Sequence, residues 1–180
     1  MGSRITLSPT TIRYAKVLCD ILSMYDTSSI KSIAEIGIGY GGQCRIIKSM
    51  FPDIKYTLFD LPEVLGLAER YLNNYEQCKA GIRYVDGGHI YIQDNYDMVI
   101  SNYAFSELIP DVQDMYLDKV ILRSKRGYIT WNSSSLRNFG GYSVSELLEK
   151  IPGSVKIDEQ LPFIKETYPD SCIILWGVNN

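Results

Sequence analysis

From Glu35 to Gly42 the chain reads Glu-Ile-Gly-Ile-Gly-Tyr-Gly-Gly. Ahead of it, Ser32-Ile33-Ala34-Glu35-Ile36 reads as a strand. Behind it, residues 43–51 carry Cys44, Ile47 and Phe51 on one side and stop at Pro52, which predicts a short helix. Glycines between a strand and a helix let the backbone turn sharply and approach a ligand closely. At the first crossover of an open sheet, such a turn is where nucleotides settle.

The flanking sequence extends the same alternation. Ser8-Pro9 has the form of an N-cap followed by proline at the first helical position, and Ile12, Ala15, Cys19 and Leu22 recur behind it at helical spacing. A first helix to about Tyr25, carried on that stripe, is predicted. Downstream, residues 55–59 make a strand with Asp60 at its carboxyl end, and Val64, Leu67, Ala68, Tyr71 and Leu72 mark a helix. Residues 82–85 give a third strand ending at Asp86, and 98–100 a fourth ending near Asn102. A helix at 111–122, a fifth strand at 128–131 and a capping box at Ser143 and Glu146 with Val144, Leu147, Leu148 and Ile151 behind it follow. Residues 155–157 and 172–176 are the last strands, separated by a Pro-containing stretch. This alternation predicts an α/β, Rossmann-like doubly wound sheet, parallel and covered on both faces. With no repeat or linker, residues 1–180 read as one domain: an N-terminal helical segment (1–30) and a cofactor-binding core (31–180).

Composition narrows the function. The 180 residues are 46% hydrophobic and 22% charged, so a core can form at this length without a staple. A net charge of -3 with scattered Lys and Arg provides no footprint for a phosphate backbone, and nucleic acid is not an expected partner. No apolar run approaches the ~20 residues that cross a bilayer, and the opening residues are too polar for a secretory leader. Cys19, Cys44, Cys78 and Cys172 form no C-x-x-C pair and read as reduced core thiols of a cytoplasmic protein. His89 is the single histidine, so no His-based metal site is expected; a magnesium ion would have to be gathered by Asp86, Asp97 and Glu107.

The glycines are spelled ambiguously. Gly37, Gly39 and Gly42 satisfy the dinucleotide pattern G-x-G-x-x-G, whereas Gly37, Gly39 and Gly41 satisfy the G-x-G-x-G of methyltransferases. Charge separates the two. NAD brings a pyrophosphate, which a nearby carboxylate repels; S-adenosyl-L-methionine carries a sulfonium and an ammonium, which Glu35 favours. The plainer alternative is a solvated glutamate beside an empty turn. Asp60, with Leu61 beside it, is placed to accept hydrogen bonds from the ribose hydroxyls of either cofactor. Asp86 suits the adenine amino group, with Gly87 and Gly88 leaving room for the ring, or is simply a turn-forming Asp-Gly.

Together, Glu35-x-Gly37-x-Gly39-x-Gly41, Asp60, Asp86 and Tyr96-Asp97-Met98-Val99-Ile100-Ser101-Asn102 resemble successive motifs of a class I S-adenosylmethionine-dependent methyltransferase. Four phrases, FDLPEVLGLAERYL (59–72), YDMVISNYAFSEL (96–108), YLDKVILRSKRGYIT (116–130) and GGYSVSELLEKIP (140–152), resemble the sugar O-methyltransferases associated with bacterial surface polysaccharide. The likeness runs from about residue 8 to 176. Members of that group carry additional sequence ahead of the core. The resemblance implies seven strands, mostly parallel with the last antiparallel, S-adenosyl-L-methionine as cofactor, and a glycan or nucleotide-sugar acceptor.

A sugar hydroxyl is a weak acid, so methylating it needs a base within hydrogen-bond reach or a metal. Asn102, Tyr103 and Glu107 follow strand four, where the acceptor must lie, and Glu107 is the first choice as base; His89, after strand three, is the second. Residues 132–142, with Arg137, Asn138, Phe139, Gly140, Gly141 and Tyr142, have the make-up of a lid. The fourteen tyrosines suit sugar stacking, though half-buried packing is their commoner use. A methyltransferase for another small molecule, a non-catalytic cofactor-binding module and an NAD-dependent oxidoreductase are the alternatives; an oligomer is compatible with each.

Overall fold

The computed structural model describes residues 7–91, 94–159 and 170–179. Seven strands, β1 (Ser32–Ile36), β2 (Lys55–Asp60), β3 (Ile82–Asp86), β4 (Met98–Asn102), β5 (Gly127–Trp131), β6 (Val155–Asp158) and β7 (Cys172–Trp176), form one sheet in the order β3-β2-β1-β4-β5-β7-β6. β7 lies between β5 and β6 and runs antiparallel to both, while the other pairings are parallel. The strands match the sequence reading to within two residues. The Pro-containing stretch before β7, at 160–169, and the opening residues 1–6 lie outside the described residues.

Alternate residues of each strand face opposite layers. Ile33, Tyr56, Leu58, Met98 and Ile100 bury against α1 (Pro9–Met24), α2 (Gly42–Met50) and α3 (Pro62–Leu72). Ala34, Ile36, Phe59, Val99 and Ile129 bury against α4 (Ala104–Glu107), α5 (Pro110–Lys119) and α7 (Val144–Lys150). Both faces are thus covered, which is why β4 and β5 read as nearly continuous apolar runs. Short α4 and α6 (Ser134–Phe139) have too few turns to show a period in sequence, and the helix expected at 111–122 breaks at Val120 into α5 and a 3₁₀ turn.

Helix α1 begins as expected: Ser8 caps it through a hydrogen bond from the Thr11 amide, and Pro9 is at the first turn. Its buried stripe is a different one, however. Val17, Leu18 and Ile21 face the sheet, followed by Tyr25, whereas Ile12, Ala15, Cys19 and Leu22 are exposed. The helix carries two apolar stripes, and tyrosine decides between them: the Tyr25 hydroxyl donates to the Gly127 carbonyl (2.6 Å) and that of Tyr128 to Asp20 (2.6 Å), so this face brings its polar atoms in satisfied. Cys19 is therefore a surface thiol; Cys44, Cys78 and Cys172 are in the core, and all four are free. Lys48 is another inversion, fully buried with its ammonium donating to the carbonyls of Pro52, Ile54 and Ala80. No helix among the described residues is long and apolar enough to cross a membrane.

Candidate functional site

Gly37, Gly39 and Gly41 carry β1 into α2 with φ of 73°, 52° and 86°, backbone that L side chains rarely adopt. Gly37 has a second constraint: a Cβ there would lie 1.9 Å from that of Ala104, so the loop after β4 packs directly on the turn. The register of β2 on β3 sets Asp60 beside Asp86. Asp60 Oδ2 accepts from the Ile38 amide at 2.8 Å, and Oδ1 from the Leu61 amide at 2.8 Å. A carboxylate has about four acceptor positions. Asp60 thus ties the glycine turn to its own strand and still offers lone pairs to hydroxyl groups.

A cleft of about 420 Å³ opens over these groups, walled by Gly37, Gly39, Asp60, Leu61, Gly87 and Tyr116. That volume is in the range of small-molecule sites, roughly 300 to 1,000 Å³. Two larger hollows, about 470 and 900 Å³, lie at the N-terminal ends of β1 to β3 around Lys31, Asp53 and Lys55. Open α/β sheets bind ligands at the carboxyl ends of their strands, and the glycine turn is at that end, so the smaller cleft is the candidate.

Asp86 stands at its rim. The His89 ring (Nδ1 to Oδ2, 3.0 Å) and the Gly88 amide (2.9 Å) hold its carboxyl below the usual carboxylate range. His89 is thereby engaged on the Asp86 side, away from the loop after β4. Glu35 is placed otherwise than its charge suggests. It is 2% exposed, accepts from the Tyr56 hydroxyl at 2.8 Å, and is pushed by burial up to about 8. Enclosed in the core beside Tyr56, Glu35 is not among the residues that wall the cleft. Asp60 is the carboxylate that the cleft wall presents.

Beyond β4 the surroundings are looser. Asn102 lies opposite Thr130, and its Nδ2 approaches Gln43 Oε1 at 3.4 Å; buried Gln43 also donates to the Tyr14 carbonyl at 3.2 Å. Tyr103 has φ 68° and ψ -33°, the one non-glycine with positive φ among the described residues. Such a conformation costs about 1–3 kcal/mol and persists where its surroundings fix it. Here the Tyr103 hydroxyl donates to buried Glu159 Oε1 at 2.5 Å, Ser171 donates to Oε2, and the Arg13 guanidinium is 5.2 Å from the ring centre. Burial and then Glu159 raise the phenol. Glu107 is exposed and accepts from Asn132 Nδ2 at 3.1 Å. Ala104 and Leu108 of this loop wall the cleft, whereas Asn102, Tyr103 and Glu107 stand outside its wall.

Two expectations change. Residues 132–142 are not all loop: they contain α6, ended by Gly140, with Ser135 donating to the Leu108 carbonyl and the Tyr142 amide to Gln113 Oε1 (2.9 Å). Asp97 is at the N-terminal end of β4, accepting from the Lys31 and Ser32 amides (2.9 and 3.1 Å), a strand length from Asp86 and Glu107. Those three carboxylates do not gather. Among the described residues no group of three His, Cys, Asp or Glu side chains is placed to hold a metal ion. Gln43, Glu159, Arg13 and Tyr116 were not singled out from sequence, since each meets its partners across many residues and without a motif.

The strand order and the reversed β7 are those of the fold shared by solved O-methyltransferases. More narrowly, residues 12–100 match the model of the O-methyltransferase domain family. A demethylspheroidene O-methyltransferase from Rhodobacter capsulatus is 36% identical over 52 residues, 29% of this chain and 13% of that protein. The mitomycin 7-O-methyltransferase MmcR shares the fold with a TM-score of 0.65 at 19% identity, over 92% of this chain and 53% of that one. PigF, solved with SAH (S-adenosylhomocysteine), does so with a TM-score of 0.61 at 16% identity, over 92% and 62%. The chain thus spans only part of the length of these proteins.

Proposed function

We propose that this protein is an S-adenosyl-L-methionine-dependent O-methyltransferase, one methyltransferase domain that methylates a hydroxyl of a sugar in a glycan or nucleotide-sugar precursor. The observation that carries the cofactor half is the cleft: a turn open to close approach at Gly39, with Asp60 fixed between that turn and Leu61. The residues fit the cofactor chemically. Asp60 is placed for ribose hydroxyls and Asp86 for the adenine amino group, with Gly87 beside the ring and Asn102 at the methionine end. The sugar half is supported by the four phrases between 59 and 152.

When bound, S-adenosylmethionine supplies a methyl group already activated by its sulfonium. The protein's work is therefore alignment, exclusion of water and removal of the acceptor proton. Asn102 and Tyr103 are the proposed orienting groups. Glu107 is the proposed base: its Oε1 is held by Asn132 and the other oxygen is left to take a proton. Four free thiols support a cytoplasmic setting.

The test is methyl transfer to a panel of nucleotide sugars and small phenols, followed by mass spectrometry. A gain of one methyl group on a sugar is expected. Transfer only to a phenol would remove the sugar reading, and binding of the cofactor with no transfer to any of them would favour a non-catalytic module.

A further inference from the structure

Tyr116, on α5, opens the phrase at 116–130 but has no role assigned to it there. It is 4% exposed, packs edge-on to Phe59 (ring centres 6.1 Å, planes at 85°) and walls the cleft. Its hydroxyl reaches the bend after β3: a Cβ on Gly87 would fall 2.2 Å from Tyr116 Oη. The missing side chain at 87 thus makes room for a phenol as well as for a ring. Buried phenols ordinarily find a partner within the protein. The hydroxyls of Tyr25, Tyr56, Tyr103 and Tyr128 all do so, whereas that of Tyr116 has no hydrogen-bond partner among the described residues.

Burial, and after it the charges of Asp60 and Asp86, raise Tyr116 far above the ordinary phenol range, so its proton stays on. The hydroxyl is a donor, and it is the single side-chain donor in the cleft wall. An adenosine presents both kinds of group. Its ribose hydroxyls and exocyclic amine are donors that carboxylates satisfy, while its ring nitrogens are acceptors that a carboxylate cannot satisfy.

We infer that the Tyr116 hydroxyl is a cofactor-binding group that donates to a ring nitrogen of adenine and so makes the cleft selective for that base. This rests on the reading of the cleft as an adenosine site. Calorimetry with SAH, its 1-deaza, 3-deaza and 7-deaza analogues, and the Tyr116→Phe variant tests it, with thermal unfolding as a control on folding.

Tyr116→Phe is expected to bind SAH about three- to tenfold more weakly, the worth of one hydrogen bond. One analogue should bind the wild type more weakly by the same factor and the variant no more weakly than SAH. Gly87→Ala, which crowds the hydroxyl, should cost more affinity in the wild type than in Tyr116→Phe. Unchanged affinity in Tyr116→Phe, no analogue matching the loss, or equal Gly87→Ala losses in both backgrounds would each overturn the role of Tyr116. A wild type that does not bind SAH at all would overturn the cofactor reading itself.

Discussion

The two ends of the candidate site are built differently. Around Asp60 the polar groups are backbone amides and short side chains, fixed by strand register and by glycines with positive φ. Around Tyr103 and Glu107 they are long side chains that reach one another across α1, β6, β7 and the loop after β5. The first end is ready to receive one ligand. The second depends on side-chain rotamers and on partners distant in sequence, the arrangement by which one fold serves many acceptors.

Substitutions separate the two ends, and the largest effect belongs to the acceptor side. With an acceptor in hand, Glu107→Gln should lower turnover by about 10²–10⁴-fold, the ordinary contribution of a base, while SAH affinity in calorimetry stays at the wild-type value. Wild-type turnover would end its candidacy. Asp60→Ala removes the bonds to the Ile38 and Leu61 amides that hold the turn, along with two contacts to the ribose hydroxyls. At roughly 1.5–3 kcal/mol for each such bond, SAH affinity should fall about 100-fold or more, and unaltered affinity would detach Asp60 from the cofactor.

Gly37→Ala should act on stability as well as binding. The added methyl group meets Ala104 at a left-handed position, and overpacking with backbone strain costs about 2–4 kcal/mol. A lower melting temperature together with weakened SAH binding is expected, and a variant as stable as the wild type would show that the turn yields. The effect that is smallest for each pH unit lies beneath both ends, at Glu35. Its carboxyl is raised from the ordinary 4.5 to about 8, so between these values the native state holds a proton that the unfolded chain has lost. Stability from this group is full below about pH 4.5 and lost as the pH rises through about 8, by up to about 1.4 kcal/mol per unit. Glu35→Gln should flatten the decline in melting temperature over that window. An unchanged slope would mean that Glu35 is ionised in the folded protein.

The same contrast decided what was legible in the sequence. All seven strands, the glycine turn and the acids at the ends of β2 and β3 follow from local pattern, because strand ends and tight turns constrain residue type position by position. Glu35 was legible in place but not in surroundings, since burial beside Tyr56 is a tertiary fact. The inward face of α1 was not legible: Ile12, Ala15, Cys19 and Leu22 are as periodic as Val17, Leu18, Ile21 and Tyr25, and the choice is made by hydroxyl groups meeting Gly127 and Asp20. Glu159 and Tyr103 lie 56 residues apart and Gln43 and Asn102 lie 59 apart. Nothing in spacing joins such pairs, and so the acceptor side had to be read from the structure.

Everything above turns on whether the glycine turn with Asp60 is a site for S-adenosylmethionine. Titration calorimetry of the wild-type protein with SAH and with NAD tests it most directly. One SAH bound per chain and no heat of binding from NAD are expected; binding of NAD with none of SAH would rule the site out.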